Sequence, residues 1–222
     1  MRRVAFLFMV VFAMSCHAQT QSEMRDSLAA AVKELAFHPD SIDLRLKKAA
    51  WNVQLHQWEY AREEYDYVLK KDKANIAALY YRAFVNEKLG RLKFARLDYQ
   101  NMLTIVPGNF EAQLGLALLN QKDKHRREAL DMLNNLCDRY PGRSEAFAAR
   151  AGVEMERKMY DLAVYDYSRA IELEPKNMDY RLSRADAYIK QGKKAEARKD
   201  LDELVRMGLA KPALSELYNK TK

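Results

Sequence analysis

The chain has 222 residues, 49% of them apolar, with 38 Lys and Arg against 31 Asp and Glu for a formal charge of +7. That apolar content excludes a disordered chain, and only 7 Gly and 5 Pro beside abundant Ala, Leu, Lys, Arg and Glu favour helix over hairpin-rich β-structure. The basic excess is mild and mixed with acids along the chain, so it predicts weak attraction to anionic surfaces and no nucleic-acid partner.

Residues 1–18 read as an export signal: Met1-Arg2-Arg3 is basic, Val4 to Met14 is an apolar run of 11, and Ser15-Cys16-His17-Ala18 is a small-residue exit. As a helix that run rises only about 16 Å, too short for a span that needs roughly 20 residues. Two processing routes fit. Cleavage after Ala18 makes Gln19 the first mature residue, whereas Ala13-Met14-Ser15-Cys16 resembles a degenerate lipobox in which Cys16 is acylated. Either route removes Arg2 and Arg3, leaving 36 basic residues and a charge of +5. The expectation is an exported chain, periplasmic or a membrane-anchored lipoprotein of a Gram-negative bacterium, with no transmembrane segment after processing. Cys137 is the only thiol certain to remain, which rules out an intramolecular disulfide framework.

Residues 19–41 follow as an N-terminal capping helix, Ser22 to Phe37, with Leu28, Ala31, Val32 and Leu35 at helical spacing. A repeat of 34 residues then begins. Pro107, Pro141 and Pro175 are 34 apart and Pro39 lies 68 before the first of them, with Lys73 in the missing slot. Ala49, Ala83, Ala117, Ala151 and Ala185 form one series at the same spacing, and Ala61, Ala95, Ala129, Ala163 and Ala197 a second. Helices that cross with backbones near contact need a side chain no larger than methyl at the crossing. Gly90 and Gly192 stand at equivalent places between the series, where a helix end takes a left-handed residue. Each unit is therefore helix, tight turn, helix, closed by proline.

Period, alanines and proline resemble the tetratricopeptide repeat, over about three quarters of the chain. Five units follow, 42–75, 76–109, 110–143, 144–177 and 178–211, and residues 212–222 supply a C-terminal capping helix that starts at Pro212. Tyr65, Tyr99, Leu133, Tyr167 and Leu201 match the family's large apolar place in the second helix, and Trp58, Leu92 and Tyr160 the residue after the turn. The Trp-x-x-Leu-Gly opening is absent. The resemblance implies an all-α fold, a right-handed superhelical solenoid of five helix-turn-helix repeats with capping helices at both ends.

Comparison of the units exposes paired columns. The residue before the first alanine and the one three after the second run Lys48 with Glu64, Arg82 with Asp98, Leu116 with Met132, Arg150 with Asp166 and Arg184 with Asp200. Basic meets acidic, and apolar meets apolar. This predicts four ion pairs within about 6 Å and one apolar rung; as exposed pairs they would contribute about 0 to 1 kcal/mol each. Asn52, Asn86 and Asn120 also recur, either to pair helices or to serve a ligand.

Catalytic chemistry finds little support. His38, His56 and His125 lack a partner at metal-ligand spacing, Cys137 falls on the inward side with Leu69, Leu103, Ile171 and Val205 as counterparts, and no Gly-rich phosphate loop exists. No enzyme, metal or cofactor is expected. By resemblance, first helices line a concave groove, so Leu46, Ala50 and Val53; Tyr80, Phe84 and Lys88; Leu114, Leu118 and Lys122; Met155; and Leu182, Asp186 and Ile189 become groove candidates. Tyr80, Phe84 and Lys88 lie on one stripe at i, i+4 and i+8. The alternative for several leucines is packing against the neighbouring unit. The family's chaperone-tail clamp, built on Lys and Asn, is not expected, because its places carry Leu, Ala, Tyr and Phe. The function that follows is an exported scaffold holding another protein or peptide in the cell envelope through its groove. The alternative is an electrostatic binder of an anionic envelope polymer or membrane surface.

Overall fold

The computed structural model describes residues 21–222; the predicted export signal, and Cys16 with it, lies outside the described residues. Twelve α-helices and one 3-10 helix, and no strand, occur among them. They divide into two compact units, one ending at Arg91 and the other beginning at Leu92.

The first unit contains α1 (Gln21–Phe37), α2 (Ile42–Gln54), α3 (Trp58–Lys71) and α4 (Ile76–Lys88). Ala31 and Leu35 of α1 are buried, but Val32, placed by its spacing on the same face, is 46% exposed. Within its unit α1 packs on α2, so a narrower stripe is covered than the apolar pattern suggests. The second unit contains α5 (Leu92–Ile105), α6 (Phe110–Lys122), α7 (Arg126–Arg139), α8 (Ser144–Glu156), α9 (Tyr160–Leu173), α10 (Met178–Lys190), α11 (Lys194–Arg206), the 3-10 turn Lys211–Leu214 and α12 (Ser215–Lys220). The predicted C-terminal helix therefore opens as a 3-10 turn at Pro212 before it becomes α-helical.

The repeat chemistry is visible at both ends of each hairpin. Ser41, Asn75, Asn109 and Asn177, spaced by multiples of 34, precede first helices and accept a backbone N–H from Leu44, Ala78, Ala112 and Asp179. The same slot before α8 holds Arg143, whose side chain provides no such cap. At the far end, backbone bonds such as Arg91 N–H to Asn86 C=O and Gly90 N–H to Glu87 C=O close the first helix, and the pattern recurs at Gln57, His125, Met159 and Lys193. This closure requires a left-handed residue. Gly90 and Gly192 supply it at φ 71° and 77°, but His56, Lys124 and Lys158 adopt it at 57°, 63° and 60° with a Cβ present.

All ten repeat alanines are fully buried, as are Tyr65, Leu133 and Leu201 of the large apolar column to within 1%. Side chains at the place sixteen residues beyond that column adapt to it. Tyr81 stacks on Tyr65 at 6.1 Å, whereas Gly115 makes room for Tyr99, since a Cβ there would lie 2.4 Å from the ring.

Candidate functional site

Three of the predicted pairs, Lys48 with Glu64, Arg150 with Asp166 and Arg184 with Asp200, are close polar contacts. Lys48 Nζ lies 2.5 Å from Glu64, which also accepts from Arg45 at 2.8 Å. Arg150 grips Asp166 through Nε and Nη2 at 2.6 and 2.8 Å, and Arg184 grips Asp200 in the same forked way at 2.8 and 2.6 Å. Each arginine also reaches back sixteen residues, Arg150 to Asn134 at 3.1 Å and Arg184 to Ser168 at 2.9 Å. Arg82 does likewise with Asp66 at 2.8 Å within the first unit, while Asp98 belongs to the second. The sequence-based expectation of exposed pairs needs correction: Asp166 and Asp200 retain only 1% and 4% exposure because the helix crossing encloses them. Leu116 is buried, and Met132 packs against the core around Leu133 and Phe147.

At Asn120 the Asn column joins helices. Asn120 accepts from Arg96 at 2.8 Å and its amide meets Met132 Sδ at 3.2 Å, linking α5, α6 and α7. Asn52 is buried with its amide nitrogen unpartnered. The fourth member of the column, missed by sequence reasoning although its place at 34 residues beyond Asn120 marks it, is Glu154. Burial, then the adjacent Asp166 charge, pushes the Glu154 carboxyl up to about 7, partly offset by Arg150. Its Oε2 is buried without a hydrogen-bond partner.

The groove candidates separate by environment. In the first unit, Leu46 and Val53 are half-buried and Ala50 is exposed. Phe84 meets Trp58 edge-on at 6.1 Å, Lys88 Nζ lies 5.1 Å over the Phe84 ring, and Tyr80 stands edge-on to Tyr81 at 5.1 Å. Phe84 thus sits between an aromatic ring and a cation, and Tyr80 against a second ring. In the second unit, Leu114 packs against the hydrophobic core, the role that competes with groove lining. Leu118 and Ile189 are half-buried and Lys122 is exposed. Met155, Leu182 and Asp186 come together with Gly152, Tyr167, Ser183, Lys190 and Leu217 around a cleft of about 370 Å³. Asp186 and Lys190 form an ion pair at 2.8 Å on its wall. Sequence reasoning missed Tyr167, assigned to the core column, and Leu217, which only the fold of α12 brings alongside.

The Cys137 thiol is buried, and desolvation pushes its pKa up to about 12, so it is a protonated core side chain. No group of three His, Cys, Asp or Glu side chains arranged to hold a metal ion occurs among the described residues, and no described helix is long and apolar enough to cross a membrane.

Tandem helix pairs with Ala at every crossing, N-caps at one end and left-handed closures at the other define a helical-hairpin repeat protein. Family models described as "TPR repeat" and "Tetratricopeptide repeat" match residues 153–192, and 111–143 and 179–207, respectively. The chain carries tetratricopeptide repeats over residues 111–143 and 153–207. Among solved structures it is similar to a tetratricopeptide repeat protein from Parabacteroides merdae ATCC 43184, at 21% identity and a TM-score of 0.77, covering 90% of this chain and 78% of that one. TTC0263, a thermophilic TPR protein of Thermus thermophilus, aligns at 18% identity and a TM-score of 0.68, covering 82% and 98%. YrrB, described as a TPR protein with an unusual peptide-binding site, aligns at 18% identity and 0.52, covering 82% and 93%. At these identities the likeness is one of fold.

Proposed function

We propose that this chain is a protein-interaction scaffold, exported to the cell envelope, that holds an extended segment of a partner protein against its first helices. The observation that carries this reading is the cleft at Met155, Leu182 and Asp186, three first-helix residues lining one concavity of apolar floor and charged wall. Such a cleft takes one apolar side chain of a peptide while the Asp186 and Lys190 pair orients its backbone or a polar neighbour. The Tyr80, Phe84 and Lys88 stripe offers a further aromatic surface of the same type in the first unit. That YrrB is described as having a peptide-binding site supports the peptide class of partner. Residues 1–18 support export, and Cys16 supports a lipid anchor.

Capture of partners from envelope extract tests the cleft. A Met155→Ala, Asp186→Lys variant should lose capture by about tenfold, and Phe84→Ala should reduce it further. Undiminished capture by both removes the groove assignment. Metabolic labelling with a radioactive fatty acid should mark the wild-type chain and not Cys16→Ala; equal labelling of both removes the anchor.

A further inference from the structure

The edge formed by the turns within the hairpins carries a second feature, independent of the cleft. In the second unit the turns of α6/α7, α8/α9 and α10/α11 are tied side by side. Glu156 accepts from Gln121 and Arg126 at 2.7 and 2.8 Å, and Asp161 accepts from Gln191 and Lys193 at 2.9 and 3.5 Å. Asp123 likewise holds Arg96 at 2.7 Å. These contacts engage Asp123, Glu156 and Asp161 of the edge. Lys124, Arg127, Arg157 and Lys158 remain exposed, with no side-chain partner for any of them among the described residues.

Two of those cations occupy the place where backbone geometry disfavours them. Lys124 and Lys158 are the left-handed residues that close α6 and α8, at φ 63° and 60°, where two other repeats use Gly. A side chain there strains the turn, and such strain concentrates where function holds it in place. Arg127 lies three residues after Lys124, and Arg157 immediately precedes Lys158.

From the combination of unpaired charge and strained lysines we propose that the turn edge of repeats three and four is a docking surface for an acidic segment of a partner protein. Carboxylates of that segment bond Lys124, Arg127, Arg157 and Lys158. A protein segment fits better than a bilayer, because Asp123, Glu156 and Asp161 interrupt the cations and break the positive field into discrete points. A flexible acidic chain can meet those points and avoid the acids, whereas a flat anionic surface must press against both.

Binding of a labelled oligoglutamate peptide to the chain, followed by fluorescence anisotropy at low and high salt, tests this. The parent should bind and release the peptide as salt rises. The Lys124→Gly, Lys158→Gly double variant should bind roughly tenfold more weakly while melting about 2 to 6 °C higher, since glycine relieves both turns. Lys124→Arg, Lys158→Arg should keep the affinity, and so should Met155→Ala, which separates the edge from the cleft. Equal affinity of the glycine variant and the parent overturns the proposal. So does retention on phosphatidylglycerol vesicles without binding of the peptide.

Discussion

Single residues decide how this protein responds to pH and to close packing. Glu154 follows Asn52, Asn86 and Asn120 in its column, and its carboxyl is enclosed beside Asp166. Its pKa of about 7 in the folded chain stands above its ordinary 4.5, so between those values the folded state binds more protons than the unfolded one. Stability contributed by this group is therefore present in full below about pH 4.5 and lost as pH rises through 7, by roughly 2 to 3 kcal/mol. Urea unfolding of wild type and Glu154→Gln at pH 5 and pH 8 checks this: the difference between the two proteins should move in favour of Gln by about that amount at pH 8. An unchanged difference would mean that Glu154 titrates as an ordinary carboxyl. Gly115 shows the steric counterpart, a residue kept small by the Tyr99 ring rather than by any turn. Neither role is legible from composition. The column positions could be read in sequence, but burial and ring placement depend on side chains brought together from different helices.

At the scale of the element, the α8/α9 and α10/α11 hairpins are each locked by a forked ion pair across their two helices, sixteen residues apart in sequence. The Arg150 and Asp166 contact shows what burial does to such a pair. Were both side chains exposed, the contact would contribute less than about 1 kcal/mol. With Asp166 only 1% exposed, removal of its partner strands a charge in a place water cannot reach. Arg150→Met should accordingly destabilise by about 3 to 5 kcal/mol, measured by chemical denaturation, and the further change Asp166→Leu should recover much of it. A loss below about 1 kcal/mol would return the pair to the exposed class. The residue identities of these pairs were legible in the sequence, because basic and acidic columns alternate in step with the repeat. Their energetic weight was not, since it depends on how tightly the alanine crossings close over them. The same holds for Leu114, whose type suits a groove and a core equally and whose neighbours choose the core.

For the whole molecule, each unit must cover its own apolar surface, and the second does so at its end with Leu214 and Tyr218 packed on Ala185, Leu201 and Leu204. Tyr218 also donates to Asp202 at 2.6 Å, and Lys194 Nζ donates to the Lys222 carbonyl at 2.5 Å. Truncation before Lys211 should cost roughly 3 kcal/mol, lower the melting temperature and raise binding of a hydrophobic dye. It should also weaken cleft binding, because Leu217 goes with it; an unchanged melting temperature would show that these residues cap nothing. The sequence by itself determined the helix-turn-helix repeat, its register and its crossings, because a 34-residue period imposes the same local chemistry at every alanine, cap and turn. Only the tertiary structure decided which first-helix residues share a cleft, which charges are buried and which lysines stand free in strained turns, because those properties belong to contacts between repeats, where neighbouring side chains differ from one unit to the next.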